Sequence, residues 1–166
     1  MISRRRLTAW AGQAAALLFA AMWVILQWHV RPVAGEIPLP QSNLLGYSNA
    51  DLVALAQNLG PEVLATYKAI LTYLDPAFIA CFAAFFVLMT WPRRWAMALI
   101  LAYVAADLTE NRLILTALEG PVPLPVQQGS AAYLFTLVKF VLFAGCAVAL
   151  IWTWRRNVVS RRGGTG

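Results

Sequence analysis

Five side chains that can hold or pass charge sit within otherwise apolar runs: Asp75, Asp107, Glu110, Asn111 and Lys139. Three of them crowd into the stretch AYVAADLTENRLIL, residues 102–115, together with Arg112. An aspartate, lysine or arginine at the centre of a membrane-spanning helix costs about 2.5–3.5 kcal/mol on insertion scales. Such groups therefore turn toward one another or toward a polar cavity. Carboxylates placed in this way accept a proton, pair with a cation, or serve as general acid and base. At helical spacing Asp107, Glu110 and Asn111 fall at i, i+3 and i+4 and share a face that Tyr103 and Ile114 extend. Asp75 lies on a stripe with Lys68, Thr72 and Ile79, and Lys139 on one with Phe135, Thr136 and Phe143. Arg112 lies about 200° round the helix from Glu110 and points elsewhere. The expected site is thus Asp75, Asp107, Glu110, Asn111 and Lys139, surrounded by Thr72, Tyr103, Arg112 and Thr136. Three carboxylates against two cations leave one surplus negative charge, relieved by a proton on a carboxyl or by a cationic ligand.

The elements that position these residues are read from hydropathy. The chain has 166 residues, 61% hydrophobic and only 12% charged, about half the charge of a soluble domain. Four runs are long enough to cross a bilayer core that takes roughly 20 residues of helix: about 7–28, 70–91, 95–118 and 131–154. The expected fold is all-α, an integral membrane four-helix bundle formed as a single transmembrane domain. Counting along each helix from its basic end puts Asp75 at about 24 Å, Glu110 and Lys139 at about 22 Å, and Asp107 at about 18 Å. Three helices thus bring charge to one level.

Nine of the 13 Lys and Arg lie before the first run, between the second and third, or after the fourth. The bias of basic residues toward cytoplasmic loops places both termini in the cytoplasm, which implies the inner membrane. Tryptophans 10, 28, 91, 95, 152 and 154 mark the ends of the runs. The formal charge of +6 comes from these arginines and not from a basic stripe, so nucleic acid is not an expected partner. The start SRRRLTAW resembles a twin-arginine signal. Its apolar run is longer than a signal peptide needs and lacks a small-residue cleavage site, so an uncleaved anchor is expected.

One histidine, His29, and two cysteines in apolar runs, Cys81 and Cys146, offer no metal-ligand set. No metal and no cofactor is expected. Tyr67, Tyr73 and Tyr133 are taken as interfacial aromatics, and Gln13 and Gln27 as lying far from the charged level. In the first outer loop, SNADLVALAQNLG predicts a short amphipathic helix at about 49–59, capped by Ser48 or Asn49 and ended by Gly60. Pro61 opens the next helix. Pro76 removes a hydrogen bond beside Asp75 and predicts a break that frees polar backbone there. The echo of IPLPQ in VPLPVQ hints at a duplicated hairpin, without matching residues in the spans.

The run GYSNADLVALAQNLGPEVLATY, then LDP, then DLTEN, resembles a loosely defined group of bacterial four-span membrane proteins. The matching positions are Gly46, Tyr47, Ser48, Gly60, Tyr67, Asp75, Asp107, Glu110 and Asn111, spread over 44–118. The resemblance implies an architecture and no activity, and it does not include Lys139 or Arg112. The expected function is a multi-pass protein with a polar intramembrane cluster open toward the outer face. That cluster is either structural or binds a proton, ion or small ligand. The alternatives are an intramembrane enzyme acting on a lipid-like substrate and an accessory subunit of a larger membrane complex. Membrane lipid is the expected partner, with a homo-oligomer also compatible.

Overall fold

The computed structural model describes residues 3–40, 43–119 and 128–162, apart from the side chains of 128 and 157–162. The second proline-rich loop, with its echo of the first, and the glycine-rich tail lie outside these residues. Among the described residues the chain is helical and contains no strand. Five helices follow in order: α1 (Arg4–Ala34), α2 (Asn49–Asn58), α3 (Gly60–Thr90), α4 (Arg94–Glu119) and α5 (Gln128–Arg162). Three of them, α1, α3 and α5, are long and apolar enough to cross a membrane. The 26 residues of α4 suffice in length, but Asp107, Glu110 and Arg112 set its composition apart from the other three.

Local sequence explains the boundaries. Ser48 caps α2 and forms a reciprocal box with Asp51, whose carboxylate takes the Ser48 backbone N–H at 2.7 Å. Leu52 and Leu55 on one face of α2, and Leu59 just past its end, are fully buried, and α2 packs on α4 and α5. Gly60, at φ +63°, makes the left-handed turn from α2 into α3 that other residues adopt only with strain.

α1 and α3 share a feature that the hydropathy pattern does not reveal. Each contains one π-helical turn, Leu26–Val30 in α1 and Ile70–Leu74 in α3. Each turn closes on the residue before a proline: the Arg31 N–H donates to Leu26 O, and the Asp75 N–H to Ile70 O. A proline inside a helix lacks the donor and crowds the preceding turn, and one wider turn absorbs both effects. The break expected at Pro76 is this extra residue, and the helix continues through it.

The insertion also resets the register. Tyr67 is buried before the π turn, Ile70 and Leu71 at its start, and Asp75, Phe78 and Ile79 after it. One added residue turns everything beyond it by about 100°. Thr72, which regular spacing puts beside Asp75, is therefore exposed and drops out of the site. No such shift occurs in α4, where Ala96, Ile100, Tyr103, Asp107, Glu110, Ile114 and Ala117 are all buried at alternating spacings of four and three. α4 packs chiefly on α5, and α1 chiefly on α3, with α3 in contact with both α4 and α5.

Candidate functional site

The buried stripes of α3, α4 and α5 meet at the charged residues. Lys139 of α5 pairs with Asp107 and Glu110 of α4: its Nζ lies 3.3 Å from Asp107 Oδ1 and contacts Glu110 Oε2. Asn111 Nδ2 donates to Asp75 Oδ2 at 2.7 Å, joining α4 to α3. Thr136 Oγ1 donates to Glu110 Oε1 at 2.6 Å from one turn above Lys139. Asp75, Asp107, Glu110, Asn111, Thr136 and Lys139 are all buried, Glu110 completely. All five principal candidates therefore come together, with Thr136 and Tyr103 beside them. The Tyr103 hydroxyl lies next to Asp107. Arg112 does not join them: it is exposed on the opposite side of α4, as its angular offset requires. Without it the cluster holds three carboxylates against one ammonium.

Two tyrosines belong here that residue spacing did not place. Gly46, at φ +110°, turns the first loop inward. The Tyr47 hydroxyl then lies 2.9 Å from Thr136 Oγ1. Burial pushes the Tyr47 phenol well above its ordinary value, and the nearby Glu110 adds to this against the Thr136 hydrogen bond. It stays protonated and donates to Thr136, which donates in turn to Glu110, so a two-bond chain links the loop to the cluster. Tyr133 packs edge-on against Tyr47 and donates to Leu44 O at 3.1 Å, holding the same loop. Tyr67 is fully buried and within electrostatic reach of Glu110 and Asp75. Tyr73, by contrast, is exposed. The two buried tyrosines had one available signal: both sit among the residues of the GYS…Y…D…DxxEN resemblance.

The cluster is incompletely satisfied. Tyr67 OH and Asn111 Oδ1 are buried without a hydrogen-bond partner among the described residues. Asp107 Oδ1 and Glu110 Oε2 meet Lys139 as ions without a directed hydrogen bond. Unmade bonds at buried polar atoms are costly, and Tyr67 OH and Asn111 Oδ1 are the two cluster atoms among the described residues that neither a hydrogen bond nor the Lys139 ammonium meets. A cavity of about 290 Å³ adjoins it. Asp75, Asp107 and Lys139 face this cavity, and its walls are aromatic: Phe78 from α3, Phe140 and Phe143 from α5, Phe19 and Trp23 from α1. Gln27 also lines it, and its Oε1 accepts from Arg31 Nη1 at 3.0 Å. Gln27 is thus much closer to the charged level than a count along α1 implies. Among the described residues no group of histidine, cysteine or carboxylate side chains is arranged to hold a metal ion.

Compared with known proteins, the chain matches no family model, no curated protein and no solved structure.

Proposed function

We propose that the chain is an integral membrane protein of four spanning helices, α1, α3, α4 and α5, whose cavity binds a small organic cation. The apolar exterior supports the membrane reading: Leu17, Leu101, Val141 and Val148 are each about two-thirds or more exposed, which water would oppose and acyl chains favour. For α4 the same reading follows from its orientation. Asp107 and Glu110 point inward, and the helix presents Leu101 and Leu108 outside. Arg112, seven residues before the end of α4, snorkels to the outer headgroups. The arginine bias supports a topology with both termini in the cytoplasm and the helices in the inner membrane. In this frame the protein is a member of the four-span group that its motifs resemble.

The observation that carries the ligand is charge at an aromatic wall. Asp75 and Asp107 face the cavity with only Lys139 to balance them, and rings of Phe, Tyr and Trp attract a cation over their faces. A proton held on the carboxyls fills the same electrostatic role when the cavity is unliganded. The test is a thermal-unfolding series with alkylammonium ions of increasing size. Stabilisation that peaks at an intermediate size and disappears in Asp107→Asn is expected. A uniform response, indifferent to size and to Asp107, would overturn the reading. An intramembrane enzyme acting on a lipid-like substrate is favoured by one observation: Phe19, Phe78 and Phe143 line both this cavity and an apolar groove at the arginine end. Turnover of a labelled lipid, lost in Glu110→Gln, would mark that alternative.

A further inference from the structure

The basic end of the bundle carries a second site, separate from the charge cluster. Between α1 and α3 lies an open groove of about 1180 Å³ with Arg4, Arg5 and Arg93 on its rim. Phe82 and Phe85 form its floor, with Phe85 packed directly on Gly12, where a side chain would come within 3.0 Å of the ring. Among the described residues no acidic side chain lines it. Two of the guanidinium groups are fixed in place. Arg4 donates from Nε and Nη2 to Leu88 O at 3.2 and 2.5 Å, and Arg93 donates from Nη1 to Thr90 O at 3.3 Å. These are carbonyls of the last turn of α3, so the contacts orient the cations and leave their charge uncancelled.

We propose that this groove holds an anionic phospholipid, with its phosphate on the arginine rim and an acyl chain along Phe82 and Phe85. Charge and shape both select this occupant. A free phosphate leaves the aromatic floor uncovered, and a zwitterionic lipid gains less from three arginines. The inference rests on the membrane reading above; it requires no occupant in the cation cavity, with which the groove shares Phe19, Phe78 and Phe143.

The test is native mass spectrometry of the full chain taken from bilayers of phosphatidylglycerol mixed with phosphatidylcholine. Selective retention of phosphatidylglycerol is expected, unchanged in Asp107→Asn. Arg5→Gln with Arg93→Gln lowers retention by roughly fivefold for each arginine removed, while Arg5→Lys with Arg93→Lys keeps most of it. If the glutamine pair fails to assemble, rising salt provides the second readout: it releases the anionic lipid from the unmodified protein and leaves any phosphatidylcholine in place. Equal retention of the two lipids, salt-insensitive retention, or retention unchanged by the glutamine pair would overturn the site. Inorganic phosphate bound equally well without lipid would do the same. Extraction of the chain by alkaline carbonate would show that the membrane reading itself had failed, and the lipid site with it.

Discussion

Among the described residues Lys139 is the one ammonium set against the three buried carboxylates of the cluster, and this makes it a sensitive position. Lys139→Met leaves Asp107 and Glu110 without their cation, and breaking a buried pair from one side costs about 3–5 kcal/mol. Adding Glu110→Gln recovers part of that loss. In thermal unfolding of the four species, a coupling of about 0.5–3 kcal/mol is expected, whereas simple additivity would mean that the pair is not coupled. Tyr47 supports a pH prediction. The folded state keeps a phenol proton that the unfolded chain releases above about pH 10, so stability falls as pH rises beyond that point. Tyr47→Phe removes this contribution and gives a shallower alkaline decline in melting temperature. The charged residues were legible in the sequence because charge within an apolar run has few affordable orientations. Tyr47, Tyr67 and Gln27 were less so. A tyrosine near a helix end fits an interfacial belt equally well, and only the inward path of the loop at Gly46 decides for Tyr47.

The helices themselves differ in how openly their sequences reveal them. α4 keeps one unbroken period, so the face carrying Tyr103, Asp107, Glu110 and Ile114 follows directly from spacing. α3 does not, because the π turn at Ile70–Leu74 inserts a residue and rotates what lies beyond it. That turn accounts for the buried Asp75 and the exposed Thr72. Thr72→Ala should change stability by no more than about 0.5 kcal/mol, as surface substitutions do. Deleting Leu74 closes the turn to a regular helix with Asp75 still facing Asn111, so Pro76 then crowds the preceding turn and the fold should lose about 3 kcal/mol in the same unfolding assay. The junction of α2 and α5 is another close approach. A side-chain carbon at Gly129 would come within 2.6 Å of the Asn49 backbone nitrogen, and the Gly129 N–H donates to Asn49 Oδ1. Gly129→Val should therefore cost about 1–3 kcal/mol from overpacking and increase protease cleavage within the 35–48 loop.

At the scale of the whole molecule, α3, α4 and α5 pack together and bear every charge of the cluster, while α1 packs chiefly on α3 and supplies the outer wall of the cavity. The loop with Tyr47 lies on the Glu110 side of the cluster, linked to it through Thr136. The arginine distribution predicts that accessibility tags at the two termini report the same side of the membrane; tags on opposite sides would remove one span from the bundle. The most direct measurement is calorimetric titration of the full chain in lipid nanodiscs with tetramethylammonium at neutral pH. The account predicts saturable binding that is lost in Asp107→Asn, weakened in Asp75→Asn and unchanged in Thr72→Ala. No saturable binding, or equal affinity with and without the Asp107 carboxylate, would contradict it.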